Sequence, residues 1–147
     1  MSTYCTKSDI EMIFGKPLVA QWSNLEGRGG NIAGLADEMA ARIAYVIDDA
    51  SSEVDEAMAR SIYAIPLVTT DVVPVTPTAI VRVTAAIAGF RLYQNRGSMN
   101  AIKGDEGENY SVVYAQATLR LAKFRQGITT LDAALKTACS NNPQIPG

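Results

Sequence analysis

The sequence has 147 residues, of which 48% are hydrophobic and 19% are charged, and its net charge is −2. This size and composition are typical of one folded domain, and they exclude a disordered or collagen-like chain. Because the net charge is close to zero, the chain also lacks the excess of positive charge with which a free-standing nucleic-acid-binding domain neutralises phosphates. We therefore expect residues 1–147 to form a single helical domain without a signal peptide or membrane segment.

Charge is divided unevenly between the two halves of the chain. Residues 1–71 carry eleven acidic and five basic side chains, a net charge of −6, whereas residues 72–147 carry four acidic and eight basic ones, a net charge of +4. Opposite potentials across an interface favour one register between partners. The asymmetry therefore suits a head-to-tail contact, and a chance distribution is the alternative.

Two short helices are predicted at the start of the chain. Thr6 with Asp9 three positions later forms an N-cap signal, and apolar residues at helical spacing follow it until Gly15. Pro17 can start a second short helix that reaches Trp22. Residues 23–34 (SNLEGRGGNIAG) contain four glycines and two asparagines, a composition that predicts a flexible loop.

A long amphipathic helix is predicted over residues 37–62. Its apolar stripe consists of Met39, Ile43, Ile47, Ala50, Val54, Ala57 or Met58, and Ile62. The helix must end before Pro66, and residues 68–75, which are rich in valine and threonine and contain Pro74, suit an extended connector.

Two further main helices and a tail complete the all-α prediction. Thr76 and Pro77 start a helix with the stripe Ile80, Val83, Ile87, Phe90 and Tyr93, and Gly127 ends another that covers residues 108–126. Residues 95–107 between them predict a second flexible loop. We expect a short helix over 131–138, capped by Thr129 or Thr130, and an extended tail over 139–147. The predicted fold is a bundle of four main helices plus short terminal helices.

The residue inventory argues against enzymatic chemistry. The chain has no histidine, which excludes Ser-His-Asp and Cys-His nucleophiles and all histidine-containing metal sites. Its two cysteines, Cys5 and Cys139, lie near opposite ends and are expected to be free thiols. We expect no catalytic residue, metal or cofactor.

Asp48, Asp49 and Glu53 are the sharpest chemical candidates that remain. Carboxylates four or five residues apart on a helix can share a hard cation such as Mg²⁺, and a metal-dependent hydrolase is therefore one alternative function. Acidic residues on a solvated helix face need no functional explanation, however, and pairing with a partner's basic surface is a further possibility.

Other residues are candidates for an interface with a partner. Trp22 beside the glycine-rich loop is either an interface anchor or a core residue. Arg120, Lys123 and Arg125 form a basic helix end that would lie near phosphates if DNA passed by, and a small DNA-binding regulator built on the N-terminal helix pair is the second alternative function. The remaining candidates lie in the predicted loop and tail and are Leu25, Arg28, Pro143 and Ile145.

Four segments, taken in order, resemble the Mu-like phage proteins related to head-tail connectors. They are residues 4–15 (YCTKSDIEMIFG), 48–55 (DDASSEVD) running into 60–67 (RSIYAIPL), 85–93 (AAIAGFRLY) and 122–131 (AKFRQGITTL). In the third segment, Ala86 and Phe90 depart from the family's pattern. The resemblance extends from about residue 4 to residue 135.

The resemblance implies a structural protein of the virion. Head-tail adaptors are helical protomers that form a homo-oligomeric ring, often of twelve subunits. The ring binds the portal on one side and a stopper or tail-terminator protein on the other, and it extends the channel through which DNA passes without sequence-specific binding. The predicted loops and tail suit such a role, because flexible segments can become ordered on neighbouring subunits.

Overall fold

The computed structural model describes residues 3–24, 34–97 and 104–136, and these residues are mostly helical. An isolated bridge between Tyr63 and Leu135 is the extent of β-structure in the described ranges. The all-α prediction is therefore confirmed. The helices are α1 (Lys7–Phe14), α2 (Lys16–Ser23), α3 (Leu35–Met58), α4 (Thr78–Gly97) and α5 (Gly104–Gln126).

The start of α1 is fixed by a capping box. The Asp9 amide donates to the Thr6 hydroxyl, and the Thr6 amide donates to the Asp9 carboxylate at 2.8 Å. Gly15 ends α1 with φ of 96°, and the same residue precedes α2. Because a side chain is strained at that φ, glycine lets the chain turn sharply between the two helices. Both short helices are confirmed, and Pro17 lies in the first turn of α2.

α3 ends four residues before the predicted boundary at Ile62. The Ser61 hydroxyl donates to the Met58 carbonyl at 2.6 Å and accepts from the Tyr63 amide at 3.1 Å, and these bonds turn the chain out of the helix. Tyr63 is buried as a result, whereas Ile62 is 62% exposed. The inclusion of Ile62 in the apolar stripe was wrong, because a local serine bond redirects the chain.

α4 is the central helix and packs against the other four. All five residues of its predicted stripe are buried, and so are side chains on its other faces, such as Ala85, Ala88 and Leu92. A Cβ atom at Gly89 would overlap the ring of Phe14. Glycine therefore lets α1 cross α4 at close range.

Aromatic rings join α1, α2, α4 and α5. Trp22 is the centre of this cluster, with ring centroids 5.4 Å from Phe14, 5.2 Å from Tyr93 and 5.1 Å from Tyr110, all edge to face. Such geometry aligns positive ring edges with negative ring faces. The cluster fixes the N-terminal helix pair against the rest of the bundle.

The helices around the predicted second loop are longer than expected. α4 continues through Gly97 and α5 begins at Gly104, so the loop predicted over 95–107 is helical at both ends, and residues 98–103 lie outside the described ranges. In contrast, α4 begins two residues after its predicted cap, with the Pro77 carbonyl accepting from Ile80 and Val81. Of the first predicted loop, Ser23 belongs to α2 and residues 25–33 are outside the described ranges.

The short helix predicted over 131–138 was wrong where the structure describes it. Residues 131–136 are not helical: the chain bends at residues 132 and 133 and then lies along residues 62–68, with the Ala64 amide bonded to the Ala134 carbonyl at 2.8 Å and the Lys136 amide to the Ile62 carbonyl at 2.9 Å. Backbone bonds to a distant segment replace those that a helix would make. The predicted tail over 139–147 lies outside the described ranges.

Candidate functional site

Two of the three acidic candidates on α3 bind an arginine of α4. Arg91 directs Nη1 to Asp49 Oδ2 at 2.5 Å and Nη2 to the carboxylate of Glu53. Asp49 and Glu53 are one helical turn apart, so both carboxylates face the same fork of the guanidinium. The acidic patch therefore links α3 to α4 within the chain.

The electrostatics of this cluster follow from its geometry. Burial acts to lower the pKa of Arg91, but a hydrogen bond with Tyr114 and the charges of Glu53 and Asp49 outweigh it and raise the pKa above its usual value. Arginine is charged at all ordinary pH values. Arg91 is therefore a fixed positive charge between the two carboxylates of α3.

The arrangement does not bring the acidic trio together as a metal site. Asp48 lies on the exposed surface of α3, while Asp49 and Glu53 are partly buried against Arg91. Across residues 3–24, 34–97 and 104–136, no group of three His, Cys, Asp or Glu side chains could hold a metal ion. The guanidinium occupies the position where a cation would meet two of these carboxylates.

Tyr4 forms a second connection, between the N-terminal segment and α3. Its hydroxyl donates to Asp55 and accepts from the Leu67 amide at 3.1 Å, and its own amide donates to the Ser51 hydroxyl at 3.1 Å. Tyr4 is only 3% exposed, so these bonds are shielded from water. Through its backbone amide and its hydroxyl, Tyr4 thus binds partners that lie 47 to 63 residues further along the chain.

Tyr63 forms a third connection, between the end of α3 and the C-terminal segment. Its hydroxyl accepts from the Leu131 amide at 2.8 Å, and Lys136 donates from Nζ to the Ala59 carbonyl at 2.8 Å. The lysine lies at the C-terminus of α3, where a positive charge complements the helix dipole. The sequence did not indicate Tyr63 or Lys136, because their roles depend on distant partners.

Trp22 lies in the core rather than on the surface. It is 2% exposed and surrounded by rings, which agrees with the core interpretation of this residue. The other candidates next to the glycine loop and in the tail, Leu25, Arg28, Pro143 and Ile145, lie outside the described ranges.

The three basic candidates lie on the exposed surface at the end of α5. The guanidinium of Arg120 lies 5.7 Å from the centroid of the Phe124 ring, a cation–π contact within the chain. Arg120 also lines a cleft of about 430 Å³ that contains Asp71 and Asp132. The cleft therefore contains side chains of both charges. Lys123 and Arg125 lie outside the cleft and are both positively charged.

The three connections describe a small helical domain whose polar side chains hold distant segments of the chain in place. A comparison of the sequence with known protein families finds a match: the family described as bacteriophage Mu, Gp36, matches residues 4–144. The chain belongs to this bacteriophage Mu Gp36 family and is accordingly a phage structural or assembly protein. No curated protein and no solved structure matches the chain. In the described ranges, none of the helices is long and apolar enough to span a membrane.

Proposed function

We propose that the protein is a head-tail adaptor of the virion. Copies of the chain form a ring, of twelve subunits by resemblance, between the portal and the stopper or tail-terminator protein. The ring extends the channel through which DNA passes without sequence-specific contacts. It is assembled in the host cytoplasm and remains in the virion at the head-tail interface.

The observation that carries this proposal is the spatial meeting of the four segments that resemble connectors. Tyr4 of the first segment contacts Asp55 and Leu67 of the second, and Arg91 of the third contacts the acidic pair of the second. Leu131 of the fourth bonds to Tyr63 of the second. The segments that resemble head-tail connectors thus make the contacts that set the positions of the helices. A helical arrangement in common with the connectors supports a role in assembly in common with them.

Asp49 and Glu53 are both paired with Arg91, and this pairing supports a structural rather than a catalytic role for the protein. A metal-dependent hydrolase would need Asp49 and Glu53 to release Arg91 before either could bind a cation. Hydrolytic sites also need ligands from several elements and an open position for water. An adaptor needs none of these and requires only a stable shape with exposed surfaces.

The proposal is tested by assembling the purified chain with and without its portal. Native mass spectrometry and negative-stain electron microscopy should show rings of the chain, alone or on the portal, and portal alone serves as the control. Some assembly proteins change shape or order only on their template, so the portal sample is essential. A chain that stays monomeric in both samples would overturn the adaptor role.

The exposed basic end of α5 favours one second candidate, a DNA-binding protein that uses this helix end rather than the N-terminal helix pair. If Arg120, Lys123 and Arg125 contact phosphates, binding to duplex DNA should weaken steeply with salt, and replacing all three with glutamine should reduce that salt dependence. Arg82, an exposed arginine of α4, provides a matched control as Arg82→Gln. Absence of salt-dependent binding would eliminate this candidate.

A further inference from the structure

An unusual apolar loop projects from the molecule between α3 and α4. The valine loop, residues 70–75, is closed at its base by the Thr69 amide, which donates to the Val75 carbonyl at 2.8 Å, and by the Val75 amide, which donates to the Thr69 hydroxyl at 3.2 Å. At its tip Val72 is 100% exposed and Val73 is 74% exposed. Adjacent, largely exposed apolar side chains on a closed loop form a contiguous apolar surface, and such a surface can mark an interaction site.

The same chain carries an apolar groove of about 390 Å³ elsewhere on its surface. The groove lies between α2 and the first half of α3, with Ile43 and Ile47 buried at its floor and Ala40 and Ala44 exposed on its walls. Small side chains on the walls leave room for an inserted group. Lys7 stands at the groove as its one charged lining residue among those described.

Charge complementarity connects the loop with the groove. Asp71 immediately precedes Val72 on the valine loop, whereas Lys7 stands at the groove with its side chain 61% exposed. The Lys7 ammonium has only a loose contact with Glu11, at 3.9 Å, and can turn toward a second carboxylate. An acidic residue followed by two valines therefore matches an apolar groove with a basic residue beside it.

We propose that the valine loop of one copy docks into the groove of the next copy, with Asp71 facing Lys7. Val72 is fully exposed, so the loop does not fill the groove of its own chain. A contact between two different surfaces of one chain is heterologous, and such contacts generate rings when the rotation closes. This inference rests on the proposed ring and names the surfaces that join its subunits.

The loop is an anchor rather than the whole interface. A stable contact buries about 800 Å² on each partner, which is more than a six-residue loop supplies. The remaining area comes from the surfaces around it, where the acidic first half of one chain faces the basic second half of another. Binding energy is usually concentrated in a few central apolar residues, so loss of the anchor should still disrupt assembly.

The test uses two full-length variants that each remove one side of the contact. Val72→Asp places a charge on the loop tip, and Ala44→Arg fills the groove with a residue that also favours helix. Each variant alone should weaken self-association at least tenfold by native mass spectrometry, in solution or on the portal. An equimolar mixture should form a heterodimer, because the first variant retains its groove and the second retains its loop.

Matched controls use exposed residues of α5. Val112 is 52% exposed and Ala115 is also exposed, so Val112→Asp and Ala115→Arg introduce the same charges outside the valine loop and outside the lining of the groove. These variants should assemble like the unmodified chain. Melting temperatures establish that all four variants are folded.

The outcomes separate this inference from the adaptor role. If the unmodified chain assembles and either Val72→Asp or Ala44→Arg assembles equally well, the docking is overturned and the ring stands. If the unmodified chain never assembles, alone or on the portal, both fail. If Ala44→Arg alone lowers the melting temperature, its mixture with Val72→Asp decides the question, and a mixture that forms no heterodimer would also overturn the docking.

Discussion

The ring of Phe14 in α1 lies directly against the backbone of Gly89 in α4, where a Cβ atom would overlap it. Glycine normally weakens a helix by about 1 kcal/mol relative to alanine, so Gly89→Ala would stabilise an isolated α4. In the folded protein the added methyl must displace a ring that also contacts Trp22. Overpacking typically costs 1–3 kcal/mol. Because the gain in helix propensity offsets part of this cost, we expect Gly89→Ala to lower the free energy of unfolding by up to about 2 kcal/mol in urea denaturation.

A double-mutant cycle identifies the cause of this effect. Phe14→Ala removes the ring and should be destabilising by itself through the cavity it leaves. In the Phe14→Ala background, Gly89→Ala should then be neutral or stabilising, because the methyl occupies vacated space. A stabilising Gly89→Ala in the unmodified chain would show that α1 does not cross α4 this closely.

Arg91 should contribute to stability through both of its carboxylate partners. Arg91→Met keeps an unbranched apolar stem but removes the guanidinium, which leaves Asp49 and Glu53 one turn apart without a cation, so they repel each other. The three side chains are 29–43% exposed, and screening by water limits the loss to about 1–2 kcal/mol. The loss should shrink in high salt when urea midpoints are compared.

Arg82→Met is the matched control on the same helix, because Arg82 is exposed. It should change the free energy of unfolding by less than about 0.5 kcal/mol. Adding the double change Asp49→Asn and Glu53→Gln to Arg91→Met should restore part of the lost stability by removing the repulsion. Equal effects of Arg91→Met and Arg82→Met would contradict the ion pair network.

The helices could be predicted from the sequence because their signals are local. The capping box at Thr6, the apolar stripes and the glycine stop at Gly127 each depend on residues within a turn or two. The end of α3 was misplaced because the hydroxyl of Ser61 turns the chain before the apolar period stops. The helix predicted over 131–138 failed because residues 62–68 offer competing backbone partners that only the fold brings near.

The candidate site was less predictable, because its contacts join residues far apart in the sequence. The acidic pair Asp49 and Glu53 was recognised, but its partner Arg91 lies 42 and 38 residues further along the chain. Periodicity places Arg91 on a polar face of its helix without indicating what that face meets. The exposed Val72 likewise resembled an ordinary residue of an extended connector until the closed loop was seen.

The hydroxyl of Tyr4 should be important for stability. Tyr4→Phe removes the acceptor of the Leu67 amide and the donor to Asp55, which leaves a buried N–H without a partner. An unsatisfied buried group costs about 1–3 kcal/mol, and we expect a loss of that size in thermal or urea unfolding. Hydrogen exchange of the Leu67 amide should also accelerate.

Tyr45 provides the control for this change. It is 68% exposed on α3, so Tyr45→Phe should leave both the free energy of unfolding and the exchange of Leu67 nearly unchanged. If Tyr4→Phe behaves in the same way, water replaces the hydroxyl and the N-terminal segment is not held as described.

Thr84 is a position where a substitution should increase the stability of the protein. Its side chain is fully buried in α4, and its hydroxyl has no hydrogen-bond partner among the described residues. Thr84→Val replaces that hydroxyl with a methyl of similar shape and removes the cost of burying it. We expect a gain of about 1 kcal/mol.

The contrasting change is Thr69→Val. The Thr69 hydroxyl accepts from the Val75 amide, so its removal should lower the free energy of unfolding rather than raise it. Urea denaturation of both variants distinguishes the two threonines. A destabilised Thr84→Val would indicate that the hydroxyl has a partner outside the described ranges.

Cys5 should make the protein less stable at alkaline pH. Burial, together with the nearby charge of Asp9, raises the pKa of its thiol to about 12. In the unfolded chain the thiol ionises near pH 8.5, so above that pH the folded state holds a proton that the unfolded state has released. Stability is therefore lost as pH rises between about 9 and 12, by up to about 1.4 kcal/mol for each pH unit.

Cys5→Ala removes this contribution and should unfold with a flatter dependence on pH than the unmodified chain. Tyrosine and lysine residues titrate in the same range but are common to both proteins, so the difference between the two curves isolates Cys5. The comparison is best made in a Cys139→Ser background, where alkylation at pH 8 should also be slow until denaturant is added, because only the exposed thiolate reacts. Parallel pH curves, or rapid alkylation of the folded protein, would mean that Cys5 is open to water and that the N-terminal segment is not packed against the bundle as described.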